Sequence, residues 1–236
     1  DNIDVPTAKE NNMLVMNTPG GNTNATAEHA LALIMSVLRK IPYANDTTHK
    51  GKWEKKNIKG AELSKKTLGI VGFGNVGARL SNLVKGFEVN ILVSSKSLES
   101  RQKDFPHVKN VSFDELISAS DIISFHCKSA PDGKPIINKE HYKKMKPSTF
   151  IINTARGNIV DEKDLNAALN GNLIAGAALD VYSKEPAKEN ILFNNPKVIL
   201  TPHVAASTAE ASIVVAEMAA NQISNFLLKG NKINAV

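Results

Sequence analysis

"GIVGFGNVGARL", residues 69–80, decides the fold of this 236-residue chain. The stretch places glycines at positions 72, 74 and 77, after a short apolar run and before a helical pattern. In a dinucleotide cradle, Gly72 would allow the tight turn, Gly74 would let the backbone approach the pyrophosphate, and Gly77 would let helix and strand pack closely. The helix N-terminus would point its N–H groups at the phosphates. The spacing therefore predicts a dinucleotide site, with a glycine-rich turn that binds nothing as the alternative.

Short β-branched apolar runs recur along the chain and alternate with helical patterns. Runs of this length are typical of strands buried on both faces, as in a parallel sheet. The predicted strands are 13–17, 67–73, 89–94, 121–126, 149–155, 174–181 and 197–202, and the helices among them are 75–85, 113–119, 138–145 and 161–170. This alternation predicts an α/β fold with a doubly wound parallel sheet of the Rossmann type.

Two further segments have helical patterns of a different kind. Residues 25–41 are apolar almost all round, which is typical of a helix buried on more than one side. One side is expected to pack on this domain and the other on a partner subunit. Residues 207–229 form the longest helical pattern, and a polar, lysine-rich loop is predicted at 45–60.

Composition narrows the class of protein. The chain is 42% hydrophobic and 22% charged, as in ordinary globular proteins, and no apolar run approaches the roughly 20 residues that a membrane span needs. The net charge is +6, but the lysines are scattered and no nucleic-acid motif is visible. We therefore expect no membrane, nucleic-acid or metal partner. The single cysteine, Cys127, excludes an internal disulfide and favours a reducing, cytoplasmic compartment.

The choice of cofactor depends on the end of the second strand of the cradle. An acid there, about 20 residues beyond the glycines, usually holds the ribose 2′-OH. In this chain Ser95 stands at that position and Lys96 follows it. The missing carboxylate removes repulsion of a 2′-phosphate and Lys96 would attract one, which favours NADP; alternatively, Ser95 donates to the hydroxyl and NAD binds. The predicted cofactor is NAD or NADP.

Three polar residues follow predicted strands, where ligands of open α/β sheets bind. Arg156 follows the strand at 149–155, Glu185 lies just past the strand at 174–181, and His203 ends the strand at 197–202. Each alone also fits a surface ion pair, a loop charge or a buried histidine. Their shared position at strand ends favours a catalytic set.

These side chains suit hydride transfer coupled to proton transfer on a 2-keto acid. His203 can give a proton to the carbonyl oxygen and take it back in the reverse direction. Glu185 would stabilise the imidazolium and orient the ring. Arg156 can hold a substrate carboxylate through two parallel hydrogen bonds.

Four stretches, "GIVGFGNVG", "NTARGNIVDEKDL", "GAALDVYSKEP" and "TPHVAAST", together resemble the D-2-hydroxyacid dehydrogenases. The resemblance covers nearly the whole chain and implies reversible hydride transfer between a D-2-hydroxy acid and a nicotinamide cofactor, with Arg156, Glu185 and His203 as the catalytic residues. Flanking stretches such as "GKWEKK" are most similar to members that act on 3-phosphoglycerate in serine biosynthesis. Two alternatives stay open: an NADPH-dependent glyoxylate or hydroxypyruvate reductase, and a non-enzymatic, dinucleotide-sensing corepressor.

The same resemblance implies the remaining cofactor contacts and a homodimer through helix 25–41. It places Asn75 and Val76 at the pyrophosphate and Asp180 near the nicotinamide carboxamide. Further implied contacts are Cys127, Thr154, Ala155, Arg156, His203, Ala205 and Ala206. A thiol nucleophile at Cys127 paired with the adjacent His126 is the disfavoured alternative, because neighbours on a strand point to opposite faces.

The resemblance also predicts the domain organisation, in which the family's substrate lobe is largely absent from this chain. Residues 1–16 resemble the tail and hinge of that lobe. Residues 17–204 resemble the family's NAD(P)-binding Rossmann domain, and residues 205–236 resemble the helix that returns toward the lobe. The particular 2-hydroxy acid is therefore not predicted from the residues present.

Overall fold

The computed structural model describes residues 3–236, which divide into two compact units. The larger unit comprises Thr26–Ala205, and the smaller comprises the described residues up to Ala25 together with Ala206–Val236. The larger unit thus begins nine residues beyond the predicted boundary at 17. That residues 1–16 and 205–236 belong to the edge of a substrate lobe stays a prediction.

The larger unit is built on one seven-stranded sheet. Its strands are β1 (Thr67–Val71), β2 (Asn90–Ser94), β3 (Val108–Asn110), β4 (Ile122–Phe125), β5 (Phe150–Asn153), β6 (Gly176–Leu179) and β7 (Val198–Leu200). Every neighbouring pair is parallel, in the order β3-β2-β1-β4-β5-β6-β7. The strand order reverses between β1 and β4, as in a doubly wound sheet. The predicted Rossmann-type fold is confirmed.

Nine α-helices lie within residues 3–236. They are α1 (Val5–Glu10), α2 (Thr23–Arg39), α3 (Ile41–His49), α4 (Asn75–Leu83), α5 (Lys96–Glu99), α6 (Phe113–Ala119), α7 (Lys139–Tyr142), α8 (Glu162–Asn170) and α9 (Ala209–Lys229). Side-chain caps begin several of them: Ser112 accepts from the N–H of Glu115, and Asp161 accepts from two N–H groups of α8. None of the helices in this described range has both the length and the apolar character that crossing a membrane requires.

The apolar core occupies both faces of the sheet. Consecutive strand residues enter different clusters: Ile122 belongs to one cluster and Ile123 to the other, and both are fully buried. Because consecutive side chains of a strand point to opposite faces, the two clusters lie on opposite sides. Helices α2 and α4 contribute to the first cluster, and α6 and α8 to the second. This double coverage explains the continuous apolar runs.

Helix α2 is buried along most of its circumference within the single chain. Ala27, Ala30 and Ile34 are fully buried in the core, and Leu31 and Met35 are half-buried beside them. The helical assignment is correct to within two residues at each end.

The predicted strand at 13–17 is wrong. Met16 forms a single antiparallel bridge with Ala235, and Met13 is largely exposed. An apolar run of five residues becomes a strand only where a neighbouring strand can satisfy its N–H and C=O groups, and this segment pairs with a short stretch of the C-terminal tail, residues 234–236, that forms no strand.

Some elements have no clear signal in the sequence. Strand β3, "VKN", has one buried apolar residue at the edge of the sheet, which is too little for a period-2 pattern. Helix α3 extends into the region that was predicted as a loop at 45–60. Its only buried side chain, Thr47, is polar and has polar neighbours in the sequence, so the segment lacks the apolar pattern that predicts a helix. Helix α7 is shorter than the predicted 138–145.

Candidate active site

The glycine turn lies between β1 and α4. Gly72 has a φ of +88°, and a Cβ there would come within 2.7 Å of the His126 carbonyl oxygen. A Cβ at Gly77 would strike the carbonyl oxygen of Gly72, so α4 packs directly against the turn. At Gly74 a Cβ would meet no heavy atom within 4 Å. Other atoms of the chain therefore fill the space beside Gly72 and Gly77, whereas the space beside Gly74 is free.

The opening at Gly74 is also the start of α4. Gly74 is the N-cap residue, and it supplies no side-chain hydrogen bond to the first N–H groups of the helix. Thr154, just after β5 at the same edge of the sheet, has a buried hydroxyl with no hydrogen-bond partner among the described residues. Unsatisfied helix N–H groups attract phosphate, and a buried hydroxyl requires a partner. Both features fit a bound dinucleotide.

The other predicted cofactor contacts lie at the same carboxyl edge. Asn75 and Val76 open α4, Ser95 and Lys96 follow β2, Cys127 follows β4, Ala155 and Arg156 follow β5, Asp180 follows β6, and His203 and Ala205 follow β7. Ala206 begins the second segment of the smaller unit. Their contacts with a cofactor stay predictions.

We expect Gly74→Ala to abolish dinucleotide binding while leaving the fold intact. The new methyl group meets no protein atom within 4 Å, so the free energy of unfolding should change by less than about 1 kcal/mol, the scale of an N-cap effect. The same methyl group occupies the space where the backbone approaches the pyrophosphate. Fluorescence titration with NADH, combined with urea unfolding, measures both effects. Unchanged binding would place the phosphates elsewhere.

The ribose end of the predicted cofactor site contains two residues that the sequence patterns did not single out. The Ser95 Oγ lies 2.9 Å from the Ser97 Oγ, and Ser97 donates to the Phe73 carbonyl oxygen at 3.1 Å. The Arg101 guanidinium reaches the same oxygen at 3.5 Å and lies 5.1 Å from the centre of the Phe105 ring. A second hydroxyl and a second cation therefore join Ser95 and Lys96 beside the glycine turn.

Glu185 and His203 form a direct pair. The His203 Nδ1 lies 2.6 Å from the Glu185 Oε2, and the other carboxylate oxygen accepts from the backbone N–H of Tyr182 at 2.9 Å. Both carboxylate oxygens are thus engaged, which fixes the carboxylate and, through it, the ring. The pair uses Nδ1, so Nε2 is the nitrogen that can face a substrate. A cavity of about 580 Å³ adjoins the pair, lined by Tyr182, Glu185, Pro186, Ala187, Phe193, Leu200, Thr201, Pro202 and His203.

Asp180 holds the turn on which His203 lies. Its fully buried carboxylate accepts hydrogen bonds from the Thr201 hydroxyl at 2.6 Å and from the N–H groups of Val204 and Ala205 at 2.9 and 2.8 Å. Burial raises the pKa of Asp180, but these hydrogen bonds and that of His29 outweigh it and leave the pKa below its ordinary value. Asp180 is therefore a carboxylate at neutral pH.

Arg156 is presented by a turn that Asn153 shapes. The buried Asn153 amide donates to the Arg156 carbonyl oxygen at 2.9 Å, and its own carbonyl oxygen accepts from the N–H of Ala155 at 3.1 Å. The Arg156 side chain is exposed. At Gly157, a Cβ would overlap the carbonyl group of Tyr182. The turn that carries Arg156 therefore contacts the loop that leads to Glu185.

Cys127 and His126 are not arranged as a nucleophile and its base. Burial raises the pKa of the Cys127 thiol to about 11, so it stays protonated at neutral pH. The His126 ring is 2.8 Å from the Ser124 hydroxyl, and burial lowers its pKa to about 4. Cys127 instead packs on Gly72.

The lowered pKa of His126 predicts a loss of stability in mild acid. The folded chain holds the ring neutral, whereas the unfolded chain protonates it below about pH 6.5. The contribution of His126 to the free energy of unfolding is therefore complete above pH 6.5. It is lost as the pH falls toward 4, by up to about 3 kcal/mol. Urea unfolding across this range should show a steeper decline for the native chain than for His126→Gln. Parallel curves would show that the ring is not held neutral.

Comparison with known proteins assigns the family. Residues 31–205 match the profile described as "D-isomer specific 2-hydroxyacid dehydrogenase, NAD binding domain". The chain belongs to the D-isomer specific 2-hydroxyacid dehydrogenase family. The family assignment from the sequence motifs is confirmed, and the NAD-binding domain agrees with the predicted use of NAD or NADP.

Known relatives of two kinds are similar to this chain. It is 42% identical to the D-3-phosphoglycerate dehydrogenase of Archaeoglobus fulgidus over 100% of the chain and 45% of that relative. It is 37% identical to the glyoxylate reductase of Pyrococcus furiosus over 96% of the chain and 69% of that relative. Among solved structures, a Paecilomyces thermophila glyoxylate reductase superposes with a TM-score of 0.91 at 35% identity, over 100% of this chain and 72% of that one. The chain spans about half the length of its phosphoglycerate dehydrogenase relatives.

Proposed function

We propose that the full-length protein oxidises 3-phosphoglycerate to 3-phosphohydroxypyruvate with NAD or NADP, as a step of serine biosynthesis. The observation that carries the proposal is the Glu185–His203 pair at 2.6 Å, on the same sheet edge as the open glycine turn. The choice of substrate is supported by relatives named D-3-phosphoglycerate dehydrogenase at 39 to 43% identity.

Each residue has a separate task in this proposal. Bound nicotinamide cofactor supplies or accepts the hydride. The His203 Nε2 moves a proton to or from the 2-oxygen of the substrate, and Glu185 stabilises the imidazolium and holds its Nδ1. Arg156 binds the substrate carboxylate through paired hydrogen bonds. The N–H groups at Asn75 and Val76 hold the pyrophosphate.

A substrate assay on the full-length protein tests the proposal. We expect reduction of cofactor with 3-phosphoglycerate to exceed that with glycerate and lactate. Turnover greatest with glyoxylate or hydroxypyruvate would favour the reductase alternative, which the Pyrococcus furiosus relative supports. Absence of turnover with every 2-hydroxy and 2-keto acid, despite dinucleotide binding, would favour the corepressor alternative.

The cofactor itself is tested by titrating the chain with NADH and NADPH and following nicotinamide fluorescence. Tighter binding of NADPH, weakened by Lys96→Ala, would mean that the residues after β2 bind the 2′-phosphate. Lys96 is exposed and Arg101 lies beside the turn, which supports this outcome. Tighter binding of NADH would mean that Ser95 serves the ribose hydroxyl. Lys85→Ala provides a control for loss of positive charge, because Lys85 is exposed and lies just past the C-terminal end of α4.

We also propose a cytoplasmic homodimer formed through α2 and the segment after it. Large apolar side chains stay exposed in that segment: Ile41, Tyr43 and, at 84% exposure, Trp53. A second copy of the chain would bury these side chains, and burial of exposed apolar side chains favours association. Sedimentation equilibrium should give twice the chain mass, and Trp53→Ser should weaken the dimer. A monomer at all concentrations would contradict the proposal.

A further inference from the structure

His29, on α2, reaches the turn that carries His203 although it lies far from it in the sequence. Its Nε2 is 3.2 Å from the Thr201 hydroxyl and 3.5 Å from the Asp180 Oδ1. The His29 side chain is 21% exposed, whereas Asp180 is fully buried. No sequence motif pointed to this residue, and neither the cofactor contacts nor the proton transfer described above uses it.

The hydrogen bonds in this group have one consistent direction. The Thr201 hydroxyl has a single hydrogen, and its 2.6 Å contact with the buried carboxylate shows that this hydrogen goes to Asp180. The Thr201 oxygen is then an acceptor, so His29 must carry its proton on Nε2 and donate it. His29 therefore donates toward Thr201 and Thr201 donates to Asp180, while the His29 Nε2 also lies 3.5 Å from the Asp180 Oδ1.

The turn held by this chain has an unfavourable backbone conformation. His203 has a φ of +54°, in the left-handed region that a non-glycine residue adopts only when its surroundings impose it. Asp180 imposes it by accepting the N–H groups of Val204 and Ala205, and Tyr182 anchors the start of the turn by donating to the Thr201 carbonyl oxygen at 2.8 Å. Removing a donor from this set loosens the segment that aims the imidazole.

We propose that His29 is a positioning residue for the Glu185–His203 pair, acting through Thr201 and Asp180. The inference rests on the proposed catalytic role of His203, because positioning matters to turnover only if that ring moves the proton. His29 touches no reacting atom in this arrangement. Its Nε2–H orients the Thr201 hydroxyl. Thr201 and Asp180 in turn hold the backbone of the turn after β7 in its conformation, and that turn holds the His203 ring against Glu185.

The first readout is structural and needs no substrate. In the proton NMR spectrum of the chain, the His203 Nδ1–H shared with Glu185 should give a resonance that His203→Gln removes. We expect His29→Leu, which removes the donor, to eliminate that resonance or exchange it with water at least about tenfold faster. We expect His29→Gln, whose amide can donate from a similar reach, to retain it. Retention of the native signal by His29→Leu would overturn the proposal.

The second readout is kinetic. In the full-length protein, His29→Leu should lower kcat about tenfold to a hundredfold, the cost of a small misplacement of a reacting group. His29→Gln should restore most of the loss. His107→Leu is the matched control, because His107 is also half-buried and also contacts a side-chain hydroxyl, that of Ser81 at 3.3 Å, but lies beside β3 at the opposite edge of the sheet. An equal loss in both leucine variants would show a general packing effect and overturn the proposal.

A double-mutant cycle tests the route. If His29 acts through Thr201 and Asp180, the losses caused by His29→Leu and Thr201→Val should not add: the double variant should lose clearly less kcat than the product of the two single losses. A full additional loss in the double variant would contradict the route. Should His29→Leu fail to fold, the NMR comparison uses His29→Gln and Thr201→Val. Thr201→Val should lose the His203 resonance that His29→Gln retains, and its retention in Thr201→Val would contradict the route. Absence of turnover in the wild-type protein would refute the proposed function, while the NMR readout would still test the positioning.

Discussion

His203→Ala is expected to lower kcat of the full-length protein by about 10²- to 10⁴-fold, the usual contribution of a positioned general acid–base group. The imidazole is the group whose Nδ1 is held at 2.6 Å by Glu185 and whose Nε2 is left to meet the substrate oxygen. The alanine variant removes both nitrogens. Steady-state kinetics with 3-phosphoglycerate measure the loss, and fluorescence titration with the reduced cofactor measures whether binding survives.

Two companion variants make this result specific. Glu185→Gln keeps an oxygen for the Nδ1–H but removes the charge that stabilises the imidazolium, so its kcat should fall by less than that of His203→Ala. His49→Ala changes an exposed histidine of α3 and should leave kcat unchanged. Retained turnover in His203→Ala would refute the acid–base role and would leave Glu185 without a partner in catalysis.

Gly157→Ala is expected to destabilise the chain by about 3 kcal/mol, at the upper end of the usual cost of overpacking. A Cβ at this position would overlap the carbonyl carbon and oxygen of Tyr182, which are backbone atoms and cannot rotate away. Either the turn carrying Arg156 or the loop carrying Glu185 must move. Urea unfolding measures the loss of stability, and the variant should also lose activity if Arg156 and Glu185 have the proposed catalytic roles, because the turn and the loop that carry them meet here.

Gly86→Ala is the control for this prediction. A Cβ at Gly86 meets no heavy atom within 4 Å, and its φ lies outside the left-handed region. Its free energy of unfolding should therefore stay constant or rise by up to about 1 kcal/mol, since alanine restricts the unfolded chain. An equal loss of stability in both variants would show that the contact with Tyr182 does not constrain position 157.

Local patterns in the sequence were sufficient for most of the sheet and for the positions of most candidate residues. Apolar runs predicted six of the seven strands, because strands covered on both faces carry continuous apolar side chains. The glycine spacing predicted the turn between β1 and α4. Patterns failed where an element is defined by its neighbours, as at β3, whose three residues pair only with β2, and at 13–17, where no strand lies alongside.

The sequence by itself determined the fold class, the glycine turn and the alignment of Arg156, Glu185 and His203 at strand ends, because each depends on periodicity and spacing within a short window. Only the tertiary structure decided what those residues touch. Glu185 and His203 are 18 positions apart, and His29 and Thr201 are 172 apart. The contact of His29 exists because α2 packs on the sheet and brings this side chain to the turn after β7, and no local pattern specifies which distant partner such packing will supply.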